Sequence, residues 1–99
     1  MNDDLLFKNY VYTRIYFLIG HFDVLRKAYE NHKEYFDKIW AKTKDCIYDL
    51  GNEIHLLDFQ MQDCGYPKWK INTIDQDCEH FEIQIEKLKN QMFQMLADY

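Results

Sequence analysis

Four histidines, three cysteines and seventeen carboxylates are the side chains of this 99-residue chain with the means to do chemistry. Their spacing directs them away from it. Structural zinc sites bring ligands in close pairs, Cys-x-x-Cys or His-x3-His, and no such pair occurs here. Cys78 and His80 come closest in sequence, and residues two apart on a helix point away from one another. His21 and His32 share a helix face, but their separation at about 1.5 Å rise per residue is roughly 16 Å, too far for one metal. His55 and Asp58 have the spacing of a surface contact, and the Glu-x-x-His motif of di-iron bundles is absent. No metal and no other cofactor is expected.

Nucleophilic catalysis has as little support. The chain contains no serine, which removes the Ser-His-Asp arrangement. A Cys-His dyad would have to assemble in space. With no glycine-rich loop there is little backbone to form an oxyanion hole or a phosphate cradle. The expectation is a protein that is not an enzyme.

The carboxylates say more by their arrangement. Net charge is −5, unevenly spread. Residues 1–44 hold eight basic and six acidic side chains, a net of +2. Residues 45–86 hold ten acids against Lys68 and Lys70, a net of −8, and residues 87–99 add +1. Within the acidic region Asp45, Asp49 and Glu53 recur every four residues. Asp75, Glu79, Glu82 and Glu86 recur at four, three and four, so each set forms a stripe along one helix face. Like charges so placed cost a helix a few tenths of a kcal/mol per pair, and neither stripe contains a lysine. A solvated face that maintains solubility is one reading. The other makes these seven residues a binding surface for a basic partner, either a foreign protein or the basic N-terminal half of a second copy. Direct nucleic-acid binding is opposed by this charge, because phosphate contact requires clustered Lys and Arg.

The elements that carry these residues are helices. Three glycines and one proline leave little of the chain for loops. Phe7, Val11, Ile15, Leu18, Phe22, Leu25 and Tyr29 recur at threes and fours, one face of a helix that Asn2 or Asp3 would cap, with Asp4 placed to favour its dipole. Tyr10, Tyr12, Tyr16, Phe17 and Ile19 lie off that face. Between Asn9 and Gly20 only Thr13 and Arg14 are distinctly polar, which asks for cover on several sides and suggests a second subunit. Aromatic residues make up 17% of the chain, and aromatics are enriched at interfaces.

The periodicity continues through Phe36, Ile39 or Trp40, Ile47, Leu50, Ile54, Leu57 and Met61. Asn31-His32 is a candidate end of the first helix, with Asn31 as a left-handed C-cap, and Gly51-Asn52 a second candidate break. Residues 4–62 thus read as one rod, two helices or three. Cys64-Gly65-Tyr66-Pro67 marks a clearer stop. Thr73 and Gln76 form a capping box that would open the last helix. Its seam of Ile74, Cys78, Phe81, Ile85, Leu88, Met92, Met95 and Tyr99 alternates four and three in the manner of coiled-coil packing.

The expected fold is all-α and single-domain over residues 1–99. It is either a bundle of three to four helices or an elongated antiparallel helical hairpin that dimerises, with a coiled-coil-like C-terminal helix. No run approaches the roughly 20 apolar residues of a membrane span, and no basic segment precedes an apolar stretch at the start. An odd number of widely spaced cysteines (Cys46, Cys64, Cys78) fits reduced thiols, hence a cytoplasmic protein without membrane contact. The functional expectation is a protein–protein interaction protein, self-associating, that acts as adaptor, assembly subunit or regulator. The alternative is a small acidic inhibitor of the phage-encoded or immunity type, covering the nucleic-acid-binding surface of a nuclease or CRISPR effector.

Overall fold

The computed structural model describes residues 2–62 and 68–98, with side chains from residue 5 onward. Four helices follow one another: α1 (Asn2–Asn31), α2 (Lys33–Ile39), α3 (Thr43–Gln62) and α4 (Lys68–Ala97). The N-cap candidates Asn2 and Asp3, with Asp4, fall where no side chain is described. The stop at 64–67, the thiol of Cys64 and the seam end Tyr99 lie outside the described residues.

α1 sits at the centre, packed along α3 on one side and α4 on the other, while α3 and α4 touch only lightly. The Tyr12 hydroxyl, near the start of α1, donates to the Met61 carbonyl near the end of α3, so these two helices are antiparallel. Arg14 reaches Asp75 and Glu82, and further along Val24 and Ala28 meet Met92 and Phe93, so α1 and α4 run parallel. The result is an up-down-up bundle 53 × 19 × 17 Å in extent. Its radius of gyration of 15.8 Å exceeds the roughly 13 Å typical of this length, which makes it a rod. Among the described residues no helix is long and apolar enough to cross a membrane.

The α1 stripe is the core. Val11, Ile15, Leu18, Phe22, Leu25 and Tyr29 are buried, and Phe7 is half-buried against them. From α3 come Ile47, Leu50, Ile54, Leu57 and Met61, and from α4 Ile71, Ile74, Cys78, Ile85 and Met92. Phe81, Leu88 and Met95, members of the seam, are only half-buried.

Residues 4–62 form three helices, and one of the two candidate breaks is absent. No residue among those described has positive φ, so Asn31 is not a left-handed cap. The chain bends through His32 at φ −130°, whose N–H donates to the Tyr29 carbonyl at 3.1 Å. α2 ends at Trp40, whose carbonyl accepts from both the N–H and the hydroxyl of buried Thr43, at 3.0 and 2.7 Å. Gly51-Asn52 does not interrupt α3. Gly51 is buried within the helix, with the Phe22 ring over it. The capping box also fails. α4 starts at Lys68, and the Thr73 hydroxyl bonds back to the Trp69 carbonyl at 3.0 Å inside the helix. Burial of Ile71 extends the apolar face before Thr73, and this packing outweighs the local capping preference.

Gly20 is a helical glycine of the opposite kind, with no atom within 4 Å of where a Cβ would stand. Alanine relieves the entropic cost of mid-helix glycine without a clash. Gly20→Ala is expected to stabilise the fold by about 0.5–1 kcal/mol, and urea denaturation would measure it. A loss of stability in this variant would mean that α1 is covered at this point.

Candidate partner-binding surfaces

The seven stripe carboxylates do not converge on one surface. Asp45, Asp49 and Glu53 are exposed along α3, where Asp49 and Glu53 border a shallow groove of about 380 Å³ against Gln84, Lys87 and Leu88 of α4. The α4 stripe lies on the other flank of its helix, next to α1. Arg14 donates from Nη1 to Asp75 Oδ1 at 2.8 Å, and from Nε and Nη2 to Glu82 at 3.2 Å each. Glu79 and Glu86 are exposed and make no ion pair among the described residues.

Arg14 is the residue that the charge pattern did not bring forward. Its side chain is mostly covered, and the forked guanidinium spans two carboxylates a two-turn step apart. Hydrogen bonds to Glu82 first, then to Asp75, hold its proton affinity above even the ordinary arginine range. The cation therefore persists wherever the protein folds. Compensation for the α4 stripe comes from across the helix pair, which spacing within α4 does not reveal. The signal available was a lone arginine inside the apolar stretch between Asn9 and Gly20. Part of the complementarity between the basic and acidic halves is thus satisfied inside one chain.

The second class of surface is apolar. On α1, Tyr10, Phe17 and Val24 are 55%, 65% and 56% exposed, so most of each ring or side chain faces water. Tyr16, another off-face aromatic, is also exposed, while Tyr12 and Ile19 are half-buried against the core. On α3, Tyr48, Leu56 and Phe59 are exposed on the side away from α1.

Among the described residues no three of His, Cys, Asp and Glu gather as a metal site would need. His80 pairs with Gln84 at 2.8 Å and His32 with the Ala28 carbonyl at 3.3 Å, both local helix contacts. Comparison with protein-family models, with curated proteins and with solved structures finds no match to this chain.

Two buried acids give the fold an alkaline limit. Burial pushes the Cys78 thiol up to about 11, and burial, reinforced by donation to Asp37 at 2.7 Å, pushes the Tyr29 hydroxyl up to about 12. Both bind their proton more tightly folded than unfolded. Their stabilisation is complete below the unfolded values near 9 and 10 and disappears as pH rises through about 11 and 12. For Cys78 the loss is on the order of 2–3 kcal/mol. Urea midpoints are expected to fall between pH 8 and 11, and Cys78→Ala should reduce that fall. An undiminished fall in the variant would remove Cys78 from the account. Half-buried Cys46 should alkylate before Cys78 in the native protein.

Proposed function

We propose that this protein is a non-enzymatic protein-interaction module that also self-associates. The observation that carries the reading is the amount of large apolar surface left uncovered in ordered rows. Tyr10, Phe17 and Val24 of α1 and Tyr48, Leu56 and Phe59 of α3 are each half exposed or more. Tyr48, Leu56 and Phe59 of α3 are exposed around Asn52 and His55, with the Lys44 ammonium 5.8 Å from the Tyr48 ring centre. A second copy meeting this patch through a twofold axis buries these apolar side chains against their counterparts. Exposed apolar patches with aromatic members are the usual mark of protein contact surfaces.

Light scattering coupled to size exclusion tests the self-association. A mass of two chains that returns to one in Leu56→Asp/Phe59→Asp supports it. A single-chain mass across the micromolar range counts against it.

A second reading, the acidic inhibitor of a basic nucleic-acid-binding surface, draws on the exposed row Asp45, Asp49 and Glu53 together with Glu79 and Glu86. Pairing of Asp75 and Glu82 with Arg14 weakens it by withdrawing half of the α4 stripe. Protection of a nucleic-acid-binding protein that fails steeply with added salt would favour it over the first.

A further inference from the structure

We propose that the face formed jointly by α1 and α4 docks a basic amphipathic helix from another protein, an inference that rests on the protein-interaction reading and names the chemistry of one partner. Tyr10, Arg14, Phe17, His21 and Val24 follow one another on α1 at four, three, four and three. Arg14 fixes where this row lies, because its side chain crosses to Asp75 and Glu82. The row therefore runs beside α4. Asp75, Glu79, Glu82, Glu86, Lys89 and Phe93 follow one another on α4 at four, three, four, three and four. At the far end the rows meet, with Val24 and Phe93 around one small cavity that also touches Lys89.

Because α1 and α4 are parallel, the two rows stay adjacent over the span from Tyr10 to Val24, about 21 Å at helical rise. One row offers Tyr10, Phe17 and Val24, each more than half exposed. The other offers carboxylates, of which Glu79 and Glu86 are unclaimed by any cation among the described residues. Phe93, 47% exposed with the Lys89 ammonium 5.9 Å from its ring centre, closes the surface at that end, so the basic flank of the partner lies toward Glu79 and Glu86. An apolar row with an acidic row along one side complements a helix with apolar residues at i, i+4, i+7 and i+11 and Lys or Arg along one flank. A span of 21 Å accommodates about four turns of such a helix.

Charge decides against a second copy on this face. Pairing α1 with α1 of another copy in antiparallel fashion places both α4 helices on the same side of the twofold axis, so acidic row faces acidic row. A parallel pairing sets the acidic row against the other flank of α1, where Asn9, Tyr16 and Lys27 supply one cation. Nucleic acid is repelled by the same carboxylates.

The test uses the whole protein and a fluorescein-labelled 18-residue peptide with leucines at i, i+4, i+7 and i+11 and lysines and arginines along one flank. The control peptide has the same composition in scrambled order. Anisotropy is expected to show binding at least tenfold tighter for the amphipathic peptide. That binding should weaken at least tenfold in Phe17→Ser/Val24→Ser, and again in Glu79→Lys/Glu86→Lys, and stay unchanged in Leu56→Asp/Phe59→Asp. All substituted residues are exposed, and circular dichroism checks that each variant remains folded. Equal binding of the two peptides overturns the proposal, as does amphipathic binding indifferent to the α1 and α4 variants. Loss of dimer mass in Phe17→Ser/Val24→Ser also overturns it, since a second copy would then occupy the face. A failed peptide alongside a dimer that Leu56→Asp/Phe59→Asp dissociates removes this docking face and leaves the protein-interaction reading intact.

Discussion

Phe36→Ala is expected to lower stability by about 3–5 kcal/mol, the range for removing a fully buried phenylalanine. α2 has seven residues, too few to persist as a helix without tertiary support. Phe36 provides that support. Its ring is wholly inaccessible and lies 6.3 Å from the Tyr29 ring and 5.7 Å from the Tyr35 ring. Around it Tyr29 donates to Asp37, and the Tyr35 hydroxyl donates to the Met95 carbonyl at 2.7 Å, tying α2 to the end of α4. Truncation leaves a cavity where three helices meet. A small domain has about 5–15 kcal/mol in total, so the melting temperature should drop by about 15–25 °C. A melting temperature within about 2 °C of the parent would place Phe36 outside the core. Ile85→Ala, also a buried site, should cost about 2–5 kcal/mol, and Phe81→Ala less, since Phe81 is only half-buried.

Gly51→Leu is expected to cost about 3 kcal/mol although leucine is the better helix former. A Cβ at Gly51 would stand 2.6 Å from Cζ and 2.9 Å from Cε1 of Phe22. Phe22 is itself buried at the α1–α3 contact, so the ring has no free space to enter. Gly51→Ala sets about 1 kcal/mol of helix propensity against the same collision. Combined with Phe22→Leu, which withdraws the ring atoms, Gly51→Ala should become favourable. Coupling of about 0.5–3 kcal/mol between the two sites in a double-mutant cycle is the expected signature. Strict additivity would show that the ring and the glycine do not meet.

These two sites show what could be read along the chain. The helical class and the buried stripes of α1, α3 and α4 were legible, because burial on a helix repeats at threes and fours and the apolar residues repeat with it. Gly51 was misleading. Glycine is common at helix ends, and only the neighbouring helix shows that here it serves as a socket for Phe22. Thr73 misled for a similar reason: a good capping residue lies inside a helix whose apolar face begins two residues earlier, at Ile71. Of the candidate binding residues, the two stripes were visible as spacing. Their separation onto different flanks was not, nor was the engagement of Asp75 and Glu82 by Arg14, because both depend on which helix lies beside which.

The parallel course of α1 and α4 has a mechanical consequence. Residue 5 and residue 97 lie at opposite poles of a rod 53 Å long, because the antiparallel α3 carries the chain back between them. Structures attached at the two poles would be held apart by a stiff strut whose length is fixed by two thirty-residue helices. Tension applied between the poles would load those helices lengthwise in shear, sliding α1 against α4, instead of peeling them apart one contact at a time. Arg14, clamped to two turns of α4, lies across the direction of that slide.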